Sequence, residues 1–365
     1  MIKQKYYLIT SYDENTWKFD RPVIFLGEWC RLYNRKHILK EMDAIVSNPY
    51  GLEYSKRDSD FSETLMLEKK IFPKFSQLIN KHHGTQYSER FWMILLGPWF
   101  KFIIKDLFFR INSINKCLSS HKISGTTSYD CEKYLLTPAT WDIAVNMDQD
   151  VWKTNVIYSR ILNLLENKSF NTEIIPLKNN NTSQNAKSIS KEIEKKSFYK
   201  NFLKAGFQIY NKTSNYLVRN DDAFIINTFL PTKEETKLEL ALGQFPQFWK
   251  YKWSKYNQPE FEKKLPDKLL RESLKKQFLD KSCDNVENIM RHLFFELLPI
   301  CYLEGFEDLH KIVKKQPWPK SPKFIFTSNN FYYDEVFKLY AALNVEAGRK
   351  YYVGQHGGNY GTQRH

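Results

Sequence analysis

The chain has 365 residues, a length that suits two domains on a scale of roughly 150 residues each. Apolar residues at 42% and charged residues at 26% exclude a disordered or collagenous chain, and 16% aromatics provide flat faces for cores or for sugar and base pockets. The formal charge of +14 admits phosphorylated substrates or an anionic membrane surface, but the basic residues are scattered, so nucleic acid is not expected as a partner.

The first elements read as strands. Tyr6–Thr10 is β-rich, and Val23–Gly27 is opened by Pro22 and closed at Gly27-Glu28. A helix from Trp29 to about Met42 is predicted to follow, which gives the opening of an α/β domain. Leu67, Ile71, Phe75, Leu78 and Ile79 then recur at helical spacing, with Gly84 at the capping position and a kink expected at Pro73. Arg90–Arg110 is the most apolar stretch. It is split by Gly97-Pro98 and is read as core, with an interfacial membrane helix as the other reading.

Asn179–Lys200 is rich in Asn, Ser and Lys and reads as a polar loop. Asp222–Leu230 reads as a buried strand. Helices are expected from Glu260 to Lys314, with an apolar heart at Ile289–Leu303. Pro317, Pro319 and Pro322 mark a boundary. After it come strand Phe324–Thr327, helix Tyr333–Ala347 capped by Gly348, and strand Tyr351–Gln355, a β–α–β unit that requires a parallel sheet.

Five cysteines, without a CxxC pair, point away from a disulfide framework and towards a reducing, cytoplasmic setting. The N-terminus lacks the apolar core of a signal peptide, and no run of about 18 apolar residues exists.

The strongest chemical constellation is Gly354-Gln355-His356-Gly357-Gly358-Asn359-Tyr360-Gly361, directly after a strand. Ligands of open α/β sheets sit at the carboxyl ends of strands. Glycines let backbone amides close on phosphate oxygens, and His356 can donate a proton near neutral pH. Thr327-Ser328-Asn329-Asn330 ends the neighbouring strand and would face the same crevice, with Lys338 a turn beyond; helix capping is the plainer reading of the cluster. Glu28, after strand VIFLG, stands where a general base would sit, with Trp29 as a stacking face; an exposed helix-starting Glu is the plainer alternative. Asp142, Asp148 and Asp150 match no metal loop, so no metal is expected. His82-His83 suit a helix C-terminus as cations.

Several segments, spread in order over nearly the whole chain, resemble transferases encoded in O-antigen and other surface-carbohydrate loci: VIFLGEWCRLY, INKHHGTQYSERFWMILLGPWF, LELALGQFPQFW, FTSNNFYYDEVFKLYAA and VGQHGGNYG. The QHGG segment is also similar to HG motifs of capsule glycosyltransferases and teichoic-acid polymerases, in which the histidine loop lies near a nucleotide leaving group. The resemblance implies a GT-B-like α/β architecture: a helix-rich N-terminal acceptor domain over residues 1–316 and the start of a Rossmann-like donor domain over 317–365. Family members continue past this motif, so a C-terminally truncated chain is expected.

On that reading the protein transfers a sugar from a nucleotide sugar to a lipid-linked glycan, without a cofactor, in the cytoplasm and at the cytoplasmic face of the inner membrane. His356 and Glu28 are the catalytic candidates. Gln355, Gly357, Gly358, Tyr360, Ser328, Asn329 and Lys338 would bind substrate. Glycerol- or ribitol-phosphate transfer and a non-catalytic truncated product are the alternatives.

Overall fold

The computed structural model describes residues 4–141, 150–165, 169–177, 210, 213–247, 249, 261 and 263–355. The polar loop expected at 179–200 lies outside them. The fold is mixed α/β and rich in helix, with two parallel sheets, the expected class. It divides into two compact units. One gathers Met1–Leu177 with Phe261–Phe306, the other Lys178–Glu260 with Glu307–Gln363. A single break at 316/317 does not describe this packing, because a strand of the middle segment pairs with one beyond the prolines.

The first unit is built on β1 (Lys5–Ile9), β2 (Val23–Phe25), β3 (Ala44–Val46), β4 (Lys122–Asp130) and β5 (Asn171–Pro176). All neighbours are parallel, in the order β3-β2-β1-β4-β5. The chain therefore marches outward on one side of β1 and then on the other, so β1 and β4 flank a topological switch point. β1 and β2 are the apolar runs read from the sequence. β4, KISGTTSYD, went unread because its hydroxyls and glycine carry no apolar pattern. Its Gly125 accommodates the Tyr7 ring, whose Cε2 would stand 2.9 Å from an added Cβ. The Tyr7 hydroxyl bonds Thr127 Oγ1 at 2.7 Å. The predicted helix 29–42 is instead two 3-10 turns and the single α-turn Lys36–Leu39. No residue of that turn is buried, so it has no apolar stripe to pack.

Two long helices dominate the unit, α1 (Tyr54–His83) and α2 (Glu89–Ser120). Both run unbroken through their prolines, so Gly97-Pro98 does not split α2. Tertiary packing outweighs the lost bond there: Phe91, Trp92, Leu95, Leu96, Trp99 and Phe100 are all buried. Gly84 ends α1 at φ 63°, as its place in the sequence predicts. Asn80 organises the corner. Its Oδ1 accepts from Thr85 Oγ1 at 2.8 Å, Tyr87 N at 3.1 Å and Trp92 Nε1 at 2.9 Å, while Nδ2 donates to the Tyr87 carbonyl at 2.8 Å. Among the described residues, no helix is long and apolar enough to cross a membrane.

α3 (Val151–Leu164), α5 (Lys268–Phe278) and α6 (Asn285–Leu297) complete the core. Phe75 meets Phe278, Phe294 and Phe295 with ring centroids 5.5, 5.7 and 5.8 Å away. Arg271, fully buried, is held by both Glu304 carboxylate oxygens at 2.7 and 2.6 Å and donates to the Phe295 and Leu298 carbonyls.

The second unit holds β6 (Phe224–Ile226), β7 (Phe324–Thr327) and β8 (Lys350–Val353), parallel in that order. α4 (Thr232–Ala241) follows β6. α7 (Phe306–Lys315) leads towards β7, and α8 (Glu335–Glu346) links β7 to β8. The β–α–β unit read from the sequence is present, and β6 supplies a third strand. Phe224 anchors its core against Trp249, Trp318, Phe337 and Tyr340.

Candidate functional site

Parallel pairing puts the carboxyl ends of β6, β7 and β8 on one edge. The ladder extends one step past the strands: Ser328 N donates to the Asn227 carbonyl at 3.2 Å, and Gly354 N to the Thr327 carbonyl at 2.8 Å. Asn227, at φ 50°, and Phe229, at φ 60°, hold the left-handed backbone region. Such conformations cost non-glycine residues energy and concentrate where surroundings over-determine them, often at ligand sites.

β8 leaves the sheet against Ser328. A Cβ on Gly354 would lie 2.6 Å from Ser328 Oγ and 2.6 Å from Phe326 Cζ, so only glycine brings the two turns this close. The following Gln355 is exposed. His356, Gly357, Gly358 and Tyr360 lie outside the described residues.

Beneath this edge is a buried polar cluster. Thr327 Oγ1 accepts from Asn329 N at 3.4 Å and Asn330 N at 3.2 Å. It therefore does the capping work that the sequence suggested for Ser328 or Asn329. Ser328 is buried, with Oγ 3.5 Å from the Thr228 carbonyl, too long for a strong bond; Asn329 is half-buried. Asn330 bridges two elements: its Oδ1 accepts from Asn227 Nδ2, and its Nδ2 donates to Asp334 Oδ2 at 2.7 Å. Asp334 caps α8 by accepting from Phe337 N at 2.9 Å. Burial raises its carboxyl from 3.8 to about 8. Lys338 is fully buried and paired with the equally buried Glu335 at 2.9 Å. Its Nζ also donates to the Tyr332 carbonyl at 3.5 Å.

The corresponding edge of the first unit carries Glu28, in a 3-10 turn after β2. Its side chain is 71% exposed and 3.4 Å from Arg31 Nη1, a loose pair that leaves the carboxylate accessible. Trp29 folds back over Gly27: a Cβ there would fall 2.0 Å from the indole ring.

The structure adds a group at the switch point that sequence reasoning missed. Asp13 Oδ1 accepts from Asn15 N at 3.1 Å and Oδ2 from the Tyr129 hydroxyl at 2.5 Å. Asn155 Nδ2 donates to the Thr127 carbonyl at 2.9 Å and Thr10 Oγ1 at 3.3 Å. The available signal was the polar run Thr10-Ser11-Tyr12-Asp13 directly after an apolar strand. Both Asp13 oxygens are engaged, whereas the Glu28 carboxylate is largely exposed.

The remaining candidates have structural surroundings. Asp150 precedes α3 and pairs with Lys153 at 2.5 Å, and Asp142 and Asp148 lie outside the described residues. His83 Nε2 stands 3.1 Å from the Tyr302 carbonyl. Burial lowers the His82 imidazole, which weakens the cation that its helix-end position suggested.

A model of the LIC12162 transferase family matches residues 6–365. No curated protein and no solved structure matches the chain.

Proposed function

The chain belongs to the LIC12162 family of transferases, and from that premise we propose that it moves a sugar from a nucleotide sugar to a lipid-linked glycan of a surface polysaccharide. The observation that carries the reading is the close seat of Gly354 on Ser328 at the carboxyl edge of a parallel sheet. Gln355, His356, Gly357 and Gly358 follow Gly354 directly in the chain, and parallel α/β sheets bind ligands at this edge. On this reading the backbone amides of Gly357 and Gly358, with His356, bind the donor phosphates and neutralise the departing nucleotide. Gln355, Tyr360, Ser328 and Asn329 supply further polar groups to the substrate. Lys338 is paired with Glu335. Glu28 takes the proton of the acceptor hydroxyl. The charge of +14 favours an anionic donor and the cytoplasmic face of an anionic membrane.

A thermal-shift scan against CMP, CDP, UDP, GDP and dTDP tests the donor site. A nucleotide present at 100 times its Kd should add roughly 2.7 kcal/mol of stability, and His356→Ala should remove most of it. A cooperative melt that none of the five shifts would refute the donor site. Glycerol- or ribitol-phosphate transfer uses the same loop and separates by its donor: a CDP-alcohol, and no nucleotide sugar, would then support turnover.

A further inference from the structure

Beside the Glu28 edge, the first unit contains a groove that none of the preceding chemistry uses. It lies on both sides of the Tyr50-Gly51 turn, between the start of α1 and the C-terminal half of α2. One compartment, of about 430 Å³, combines the apolar faces of Tyr50 and Leu52 with the polar groups of Asn112, Asn115, Ser119 and Lys116. That volume falls within the roughly 300–1,000 Å³ of small-molecule sites. The other, of about 290 Å³, is aromatic: Phe61, Phe108 and Phe109 line it with Lys105 and Arg57. Tyr50 and Gly51 border both, so the two compartments form one bipartite groove.

The turn between them is pinned by cations that keep donors to spare. Lys116 Nζ donates to the Pro49 carbonyl at 3.1 Å, and Arg57 Nε to the Gly51 carbonyl at 2.5 Å. An ammonium has three donors and a guanidinium five, so each retains free N–H groups. Lys105 stands over the Phe61 ring at 5.6 Å, and its Nζ forms no ion pair among the described residues. The lining carboxylates are Glu53 and Asp60, and Asp60 is already bound to Lys56 at 2.9 Å. Net positive charge therefore remains at the junction of the two compartments.

An occupant must match three features in sequence: hydroxyls for the amide-lined compartment, an anion at the cationic junction, and an apolar chain for the phenylalanine compartment. We propose that this groove binds a sugar phosphodiester with an apolar aglycone: the sugar in the amide-lined compartment, the phosphate at Arg57, Lys105 and Lys116, and the first carbons of the lipid against Phe109. The geometry also connects the groove to the reactive edge. Phe109 is 40% exposed and touches Trp29 with centroids 5.8 Å apart, and Trp29 follows Glu28 in the chain. The groove's role as acceptor site rests on the proposed glycosyl transfer; its binding chemistry stands without it.

The experiment is a calorimetric titration of the full chain with two probes, glucosyl phosphate and the farnesyl phosphodiester of glucose. Both should bind. The farnesyl probe should bind about tenfold tighter, the worth of roughly two buried methylenes. Phe109→Ser should erase that preference, and Lys105→Met should weaken both probes. Phe109 and Lys105 are partly exposed, so both variants should keep the wild-type melt. Failure of both probes to bind a cooperatively melting chain overturns the groove, as does binding indifferent to both variants. Binding of farnesyl phosphate equal to that of the sugar-bearing probe also overturns it, because the sugar compartment would then contribute nothing. The nucleotide scan on the same sample keeps the readings apart: nucleotide shifts without probe binding sink the groove alone, and probe binding without any nucleotide shift sinks the donor site alone.

Discussion

Asp334 shows how burial turns one carboxyl into a pH-dependent part of the fold. Its pKa rises from 3.8 to about 8, mainly through desolvation and partly through the neighbouring Glu335 charge; Lys338 and the Asn330 bond oppose the rise. A carboxyl whose folded pKa is raised holds its proton better in the native chain, so its contribution is complete below the unfolded value and is lost as pH rises through the folded one. The melting temperature should fall through this group between about pH 4 and pH 8. Asp334→Asn cannot ionise and should flatten that slope; an unchanged slope would assign it to another group. Gly354→Ala is a second test at this scale. The added methyl meets Ser328 Oγ and the Phe326 ring, and overpacking of this kind costs about 1–3 kcal/mol. Chemical denaturation should show that loss, together with a weaker nucleotide shift. Of these residues, Ser328 and Asn329 were legible from the sequence as the polar end of an apolar strand. Asn330 belonged to the same polar run, but Asn227 was not legible, because its contact with Asn330 crosses between strands and leaves no local pattern.

At the scale of elements, sequence reading succeeded where apolar periodicity was strong. β1, β2, β7, α1, α8 and the Gly84 and Gly348 caps were all visible. It failed where partners supplied the stability. β4 and β5 are polar strands paired in the interior or at an edge, and α2 crosses Gly97-Pro98 because its whole inner face is buried. The same reasoning locates the costly changes. Arg271→Ala would leave Glu304 and two buried carbonyls without their partner, and breaking such a pair costs about 3–5 kcal/mol. Urea denaturation should show that loss, and a cost under about 1 kcal/mol would mean that water takes over the partners. Asn80→Ala removes four bonds at the α1–α2 corner. It should lower the melting temperature more than Gly84→Ala, which strains one residue at positive φ.

For the whole molecule, charge and chain path carry the predictions. A formal +14 should bind vesicles containing anionic lipid, and flotation should fall steeply as salt rises, since screening shortens from about 10 Å at 0.1 M to about 3 Å at 1 M. Salt-independent flotation would point to apolar insertion instead. The division into units predicts the behaviour of fragments. Residues 1–177 contain the entire first sheet but lack Phe278, Phe294 and Phe295, which close the ring cluster on Phe75. That fragment should melt without cooperativity by circular dichroism, despite its five strands. The mixed α/β class with parallel sheets was legible in the sequence. The return of the chain to the first core at 261 was not, because an amphipathic helix does not reveal which core it serves.

That return has a consequence for biosynthesis. The chain passes from the first unit to the second after Leu177, back after Glu260, and across again after Phe306. A ribosome making it therefore releases the whole first sheet long before the helices that seal it. For the time needed to translate residues 178–306, the inner faces of α1 and α2, with Phe75, Trp99 and Phe100, wait for Phe278 and Phe294. The nascent chain should engage a holdase chaperone over that window and be released only once α6 has left the exit tunnel.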